Sequence, residues 1–264
     1  MASLPYPLRR SKAIKAMPGA KHLLGLAWVM GCLLAAPLSP AYAGRLDAFT
    51  ARYDLQVGPL RVAQLEYALE SQETGYHYRL VSQPQGLVAL FSGKARNEEA
   101  WGLWRAENDC PQPQRYRRID QPGAQAVVRT LAFDWPHKKL HIDNKDETST
   151  VSLPDHALDP MSEQLCLMQQ VAAGKKGVIE HVVANHKGVK HMRYEVQQLE
   201  EVPGPQGMVQ AIRVARVDQD DKQLTLWFAP QLGHMLVRLE QKKKGKPTVT
   251  MTLQQLDKAT QEGG

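Results

Sequence analysis

Hydrophobic and polar residues alternate along several short segments of this chain. The apolar members of four such segments are Tyr76, Tyr78 and Leu80; Val127, Leu131, Phe133 and Trp135; Met192, Tyr194 and Val196; and Val249, Met251 and Leu253. Because successive side chains of a strand point to opposite faces, this period of two predicts half-buried strands in an antiparallel sheet. Gly, Pro and Asn residues separate the segments at intervals of about ten residues, which is typical of all-β sandwiches and barrels.

The alternation is broken once, in the segment from Leu60 to Tyr67. Its phase slips near Ala63 and Gln64. An extra residue in one strand of a pair produces such a slip and bends the strand. We therefore expect a β-bulge and a curved sheet at this position.

One segment in the middle of the chain has a helical pattern. Asp159 is a good N-cap and Pro160 suits the first turn, while apolar residues recur at helical spacing up to Gly174. We predict a helix over 160–173 that packs on the sheet as a plug or lid, because a single helix cannot form its own layer. The predicted fold is mainly β: a curved antiparallel sheet or partial β-barrel with one packed α-helix.

The first 43 residues have the pattern of a secretory signal peptide. Basic residues precede an apolar run from Leu23 to Leu38, and Ala41-Tyr42-Ala43 forms a small-residue cleavage site. We predict export to the periplasm with cleavage after Ala43, and no transmembrane segment after cleavage. Met1 and Met17 are alternative start sites for this leader.

A second signal overlaps the leader. Val29-Met30-Gly31-Cys32 resembles a lipoprotein box, and the alternative is therefore a protein anchored by a lipid on Cys32. We rank this alternative second, because acylation there would leave an apolar stretch at the mature N-terminus.

The leader also explains the basic character of the chain. The whole sequence has 33 basic and 27 acidic residues, and the leader contributes five of the basic residues and no acidic one. The mature part is therefore close to neutral, and we expect no nucleic-acid partner. We predict one β-rich domain over 44–258 and a flexible tail over 259–264.

Two cysteines remain after the leader is removed. Cys110 lies in a polar loop and Cys166 in the predicted helix. An oxidising compartment favours a disulfide, but sequence does not give the distance between the two residues. A disulfide and two separate thiols stay equal alternatives, and a catalytic cysteine is the weakest interpretation because neither has a histidine near it in sequence.

Other candidate chemistry is sparse. His181, His186 and His191 are evenly spaced about a predicted turn, where His181 and His191 could face each other. Their spacing matches no compact ligand motif, so we predict no metal site. No G-x-S-x-G, H-E-x-x-H or P-loop motif occurs in the mature chain. We therefore predict no catalytic residues and no cofactor.

The segment between Gly86 and Gly93 is unusually apolar for a connection between strands, and two tryptophans follow it. One interpretation is a buried connection that fills the core. The other is the rim of a pocket for an apolar ligand. The candidate ligand-binding residues are Leu87, Val88, Leu90, Phe91, Trp101 and Trp104.

A series of short motifs follows in order along the mature chain. They are Tyr53-Asp54-Leu55, Gly75-Tyr76-His77-Tyr78, Phe133-Asp134-Trp135, Leu158-Asp159-Pro160-Met161-Ser162 and Leu226-Trp227-Phe228-Ala229-Pro230. From about Ala48 to Leu256 the chain resembles the exported bacterial proteins of domain-of-unknown-function family 3108. The resemblance implies no reaction or catalytic residue. It implies an outline similar to envelope carriers of the lipoprotein-localisation type, in which a curved sheet and a helix enclose a hydrophobic pocket.

These observations favour a non-enzymatic periplasmic protein. We expect it to bind a lipid or another hydrophobic or amphiphilic envelope molecule in the concavity of the sheet, closed by the helix. The first alternative is an assembly or scaffold protein that binds other envelope proteins. The second alternative is a hydrolase that acts on a cell-envelope polymer.

Overall fold

A computed structural model describes residues 45–86, 95–105, 110–121, 126–145 and 147–258. These residues form fifteen strands and one α-helix. The strands are β1 (Phe49–Val57), β2 (Leu60–Ser71), β3 (Gly75–Pro84), β4 (Arg96–Leu103), β5 (Gln112–Asp120), β6 (Val127–Asp134), β7 (Lys139–Asn144), β8 (Glu147–Ser152), β9 (Ala157–Leu158), β10 (Gly177–Asn185), β11 (Gly188–Gly204), β12 (Gly207–Arg216), β13 (Lys222–Ala229), β14 (Met235–Lys243) and β15 (Val249–Lys258). The helix is α1 (Pro160–Ala172), and a 3-10 turn spans Pro230–Leu232.

All fifteen strands belong to one sheet. Its order is β8-β7-β6-β5-β4-β3-β2-β1-β15-β14-β13-β12-β11-β10-β9, so most neighbours in the sheet are neighbours in sequence. Every pair is antiparallel except β9 with β10. Strands β8 and β9 are the two edges, and the sheet is therefore open, although it curls until β9 contacts β5. The predicted mainly β fold, a curved antiparallel sheet or partial barrel with one packed helix, is confirmed, and the sheet is open.

The alternating pattern identifies the concave, buried face of the sheet. In β3 the side chains of Tyr76, Tyr78 and Leu80 are buried, as predicted, while His77 and Arg79 lie on the other face. Close packing under this face requires one glycine. A Cβ atom on Gly102 would lie 2.5 Å from the Tyr76 hydroxyl and would also meet the backbone oxygen of Gln112.

The predicted β-bulge is present in β2, one residue from the expected position. Leu55 pairs with Ala63 and the next residue, Gln56, pairs with Arg61, so Val62 is the extra residue. Because the bulge interrupts the alternation, the consecutive residues Val62 and Ala63 both line the concave side.

Helix α1 begins where its capping signals predict. The carboxylate of Asp159 accepts hydrogen bonds from the backbone N–H groups of Met161 (2.8 Å) and Ser162 (3.0 Å). The helix ends at Ala172, one residue before the predicted end, and Gly174 follows with a φ of +75°.

Burial of the helix goes further than its apolar spacing predicts. The seven consecutive buried residues are Leu165, Cys166, Leu167, Met168, Gln169, Gln170 and Val171. A helix that is buried all round lies in an interior and does not cover one face. The curled sheet provides this interior, because α1 contacts β4, β5, β9 and β10.

The described residues all lie in one compact unit. Among them, no helix has both the length and the apolar character needed to cross a membrane. The predicted leader over 1–43, with Met17, Cys32 and the cleavage site after Ala43, lies outside the described residues, as does the predicted tail over 259–264.

Candidate functional site

A cavity of about 470 Å³ lies between the concave face of the sheet and the first turns of α1. Strands β1 to β4 form its walls, and α1 contributes Pro160, Met161 and Gln164. The apolar lining residues are Leu55, Val62, Ala63, Leu65, Leu80, Pro84 and Met161. Its volume is within the range of small-molecule pockets. The wall combines these apolar residues with the polar side chains of Ser82, Arg96, Glu98 and Gln164.

One end of the cavity is charged. Arg96 and Glu98 line it, and their side chains are 3.5 Å apart, from the Arg96 guanidinium to Glu98 Oε1. The other carboxylate oxygen of Glu98 accepts a 2.6 Å hydrogen bond from the Tyr116 hydroxyl. Burial, followed by the charge of Glu98, raises the pKa of Tyr116, and the phenol therefore stays a hydrogen-bond donor.

Three arginines surround a single carboxylate beside this end. Asp120 accepts hydrogen bonds from Arg96 (3.2 Å), Arg118 (2.8 Å) and Arg129. Partial burial raises the pKa of Asp120, but hydrogen bonds and charge from Arg118 lower it overall. With Glu98 and the nearby Asp159 included, three guanidinium groups are set against three carboxylates. Arg96 is the guanidinium that lines the cavity, and its side chain is 44% exposed.

A fully buried carboxylate, that of Asp159, lies at the N-terminus of α1. Asp159 accepts a hydrogen bond from the Ser162 hydroxyl, and the oxygen atoms of Ser162 and Tyr76 are 2.7 Å apart. Burial raises the pKa of Asp159 to about 6, although its hydrogen bonds to Ser162 and Met161 oppose this shift. The network ties α1 to β3 and so fixes the position of the helix at the cavity.

Four of the predicted ligand-binding residues, Leu87, Val88, Leu90 and Phe91, lie outside the described residues. The described chain stops at Gly86 and resumes at Ala95, and Pro84 and Arg96 on either side of this gap both line the cavity. The apolar segment thus connects two lining residues.

The two predicted tryptophans lie away from the cavity lining. Trp101 is on the outer face of β4, where its ring stacks on His77 with 4.8 Å between ring centres. Trp104 follows β4, and its ring centre is 5.0 Å from that of Tyr76. Neither tryptophan lines this cavity, and ligand binding by Trp101 and Trp104 stays a prediction.

Cys110 and Cys166 form a disulfide. Cys110 and Cys166 are bonded through their sulfur atoms, with their Cα atoms 4.6 Å apart. The bond joins the start of β5 to the centre of α1. Of the two alternatives from the sequence, the structure has the disulfide.

The three histidines near the β10–β11 turn are not brought together. His181 pairs with Met192 and His191 pairs with Val182, so the register differs by one residue from facing histidines. His181 is therefore buried inside the sheet, and His191 is exposed on the other face. Instead, His181 lies beside the disulfide, with its Nε2 atom 3.2 Å from the sulfur of Cys166.

The sequence contained a signal for part of the cavity wall. Leu65, Tyr67 and Leu80 belong to alternating segments, and their shared face could have been identified as a lining. The charged end carried no such signal. Arg96 and Asp120 meet only because β4 pairs with β5 in a register that the sequence does not reveal.

In the part of the chain that the structure describes, one rolled, open β-sheet surrounds helix α1, which places the protein among β-rich proteins of the partial-barrel type. Residues 52–254 match the family described as "Protein of unknown function (DUF3108)", and the chain belongs to this family. No curated protein matches the chain.

Two crystal structures are similar to this chain over most of their length. A β-barrel-like protein of domain of unknown function DUF1849 from Brucella abortus is 14% identical, with a TM-score of 0.52 and coverage of 81% of this chain and 99% of the other. A candidate lipoprotein from Parabacteroides distasonis is 12% identical, with a TM-score of 0.35 and coverage of 82% and 98%. The first similarity supports the fold alone.

Proposed function

We propose that this protein is exported to the periplasm and binds an amphiphilic envelope molecule, without catalysis, in the cavity between β1–β4 and α1. The observation that carries the proposal is the cavity itself, with about 470 Å³ of space, apolar residues along β1–β3 and charged residues at one end. Each CH₂ group of an acyl chain that leaves water for contact with these apolar residues contributes about 0.8 kcal/mol to affinity. A chain of moderate length therefore binds without any catalytic group.

The charges at the cavity favour an anionic head group. Arg96 lines the cavity and its side chain is 44% exposed, so its guanidinium group can reach a bound head group. An anionic head group would be attracted by this guanidinium group, whereas a cationic one would be repelled. The expected ligand is a single-chain or small amphiphile with a carboxylate, phosphate or sulfate at one end.

The first test is native mass spectrometry of the mature protein purified from its own periplasm, followed by organic extraction. A bound anionic amphiphile is the expected result. Delipidated protein should then bind a dansyl-labelled fatty acid more tightly than the uncharged amide of the same chain. A clean apo mass, together with no binding of the fatty acid, would overturn the proposal and favour a partner protein instead.

Two pairs of variants locate the site. Ala63→Phe fills the cavity and should weaken fatty-acid binding by about tenfold or more, a change of about 1.4 kcal/mol. Ala68→Phe, on the other face of the same strand, is the matched control and should leave affinity unchanged.

Arg96→Gln should weaken binding of the fatty acid but not binding of its amide. The control Arg79→Gln, on the outer face of β3, should affect the binding of neither.

A further inference from the structure

The Cys110–Cys166 disulfide lies within a cluster that has the composition of a metal site. Cys110 precedes β5, Cys166 is in the middle of α1 and His181 is on the inner face of β10. The two sulfur atoms and one ring nitrogen of His181 all lie within 4.8 Å of one another. Two consecutive elements, α1 and β10, therefore converge with the distant segment before β5, and together they bring three potential ligand atoms.

His181 is oriented by a second group of residues. Its Nε2 atom is 3.2 Å from Cys166 Sγ, and its Nδ1 atom is 3.8 Å from Glu163 Oε1 on α1. Glu163 in turn accepts a 2.7 Å hydrogen bond from the Tyr194 hydroxyl. A carboxylate behind one nitrogen of an imidazole is the usual arrangement where the other nitrogen binds a metal.

The oxidised state leaves this imidazole incompletely satisfied. His181 is only 5% exposed, and its Nδ1 atom makes no hydrogen bond among the residues that the structure describes. Its Nε2 atom is 3.1 Å from the side-chain oxygen (Oε1) of Gln170, and the side-chain nitrogen (Nε2) of Gln170 donates a hydrogen bond to Cys110 Sγ. If Nε2 carries the proton, Nδ1 presents a lone pair toward Glu163. Metal binding at Nε2 would move the proton to Nδ1 and give both nitrogens a partner.

We propose that reduction of the Cys110–Cys166 disulfide converts this cluster into a binding site for a thiophilic divalent cation of the Zn²⁺ type. The ligands are Cys110 Sγ, Cys166 Sγ and His181 Nε2, and the Gln170 carbonyl oxygen or a water takes the fourth position. Two thiolates and one imidazole are a common ligand set for tetrahedral Zn²⁺. Glu163 is a positioning residue: when the metal is bound, its carboxylate accepts a hydrogen bond from the Nδ1–H group of His181.

The redox step requires a thiol reductant. A dithiol transfers two electrons and two protons to the disulfide and becomes a disulfide itself, which leaves two thiols on Cys110 and Cys166. Binding of the cation then replaces the two thiol protons, which go to solvent. The oxidised protein has no thiolate to offer and should not bind the metal.

The site has room for this change. A tetrahedral metal with metal–sulfur bonds of about 2.3 Å needs its two sulfur atoms about 3.8 Å apart, so the sulfurs must separate after reduction. A small cavity of about 20 Å³ lies beside Cys110, next to Trp135 and Ala157. Rotation of the Cys110 side chain into this space provides the separation, while Cys166 stays in the helix.

The test uses the mature protein reduced with a phosphine, which is then removed, and titrated with Co²⁺ alone and Zn²⁺ alone. One equivalent of Co²⁺ should produce the near-ultraviolet thiolate charge-transfer band and visible bands of a tetrahedral site, and Zn²⁺ should abolish both. The oxidised protein should show neither band. Absence of these bands in reduced protein that retains its β-sheet circular dichroism would overturn the proposal. Reduced protein that loses this signal and does not regain it with Zn²⁺ would overturn it equally.

Variants distinguish the site from adventitious binding to free thiols. His181→Gln should lose the tetrahedral spectrum, while the matched control His191→Gln, which changes an exposed histidine on the neighbouring strand, should retain it. Glu163→Gln should keep the spectrum but weaken Zn²⁺ affinity by about 10- to 100-fold, because it removes the acceptor behind the ligand. Unchanged spectra and affinity in His181→Gln would show that the thiols act without the proposed site.

Discussion

Tyrosine hydroxyls are the main polar groups in the core of this protein. The Tyr53 hydroxyl donates a 2.9 Å hydrogen bond to the backbone oxygen of Leu236, and the Tyr76 and Tyr116 hydroxyls bond to Ser162 and Glu98. The hydroxyl of Tyr78 is also buried but has no partner in the described part of the chain. A buried polar group without a partner costs free energy, whereas a paired one contributes a small net gain.

This difference predicts opposite effects of the same substitution at two neighbouring positions. Tyr78→Phe removes an unpaired hydroxyl and should leave the free energy of unfolding unchanged or raise it by about 1 kcal/mol. Tyr53→Phe removes the hydrogen bond to the backbone oxygen of Leu236 and should lower the free energy of unfolding by about 1 kcal/mol. Urea denaturation of the two variants and the wild type measures both changes in the free energy of unfolding. Equal losses in the two variants would contradict the assignment of partners.

The buried carboxylate of Asp159 should make stability depend on pH. Its pKa is about 6 in the folded protein, above the ordinary value of 3.8, chiefly because it is buried. The folded state therefore binds the proton more tightly than the unfolded state. The resulting stabilisation is fully present below about pH 4 and is lost as the pH rises through 6.

Substitution with asparagine tests this effect. Asp159→Asn keeps an oxygen that can cap Met161 and Ser162 but carries no charge. The wild type should lose about 2.5 kcal/mol more than the variant between pH 4 and pH 7, measured as the free energy of unfolding. Asp143→Asn, at an exposed position in β7, is the control and should behave like the wild type. Parallel pH profiles for wild type and Asp159→Asn would contradict the prediction.

At the scale of elements, the disulfide and the buried helix form one unit. The bond closes a separation of 56 residues and holds α1 against the start of β5. Since the helix is enclosed on nearly all sides, its detachment would open the interior of the sheet. The strands are held together by their backbone hydrogen bonds and do not require the disulfide.

Removal of the disulfide should therefore weaken the protein without abolishing its fold. Cys110→Ser should lower the free energy of unfolding by about 2–5 kcal/mol, because it frees the unfolded chain from a long closed loop. Differential scanning calorimetry with and without reductant provides the measurement. Reductant should lower the melting temperature of the wild type and leave that of Cys110→Ser unchanged. A wild-type melting temperature that is insensitive to complete reduction would contradict this role.

The same elements indicate how far sequence-based prediction reaches. The bounds of α1 follow from a capping residue, a proline and a glycine, which act within a few residues of the helix ends. The burial of α1 on all sides does not follow from these local signals, because Gln169 and Gln170 are polar residues that only the enclosing sheet places in the interior. The bulge at Val62 was predicted to within one residue because it breaks a local alternation.

At the scale of the whole molecule, the remaining prediction concerns export. The leader pattern predicts that the mature chain begins at Gly44, after cleavage behind Ala43. Intact mass of the protein recovered from the periplasm should match a chain that begins at this residue. Ala43→Phe should block this cleavage and retain the leader, while Cys32→Ser should have no effect. A mature mass that includes a lipid on Cys32, abolished by Cys32→Ser, would instead support the anchored alternative.

The sequence by itself determined the elements and the mainly β class of this protein. Strand alternation, helix capping and turn residues act between near neighbours, so their effects can be identified without the fold. Only the tertiary structure decided that the sheet stays open and that a cavity forms beneath Met161. It also decided that Cys110 joins Cys166 and that His181 lies beside them. These features depend on the register and curvature of strands far apart in sequence, where a shift of one residue moves a side chain to the opposite face.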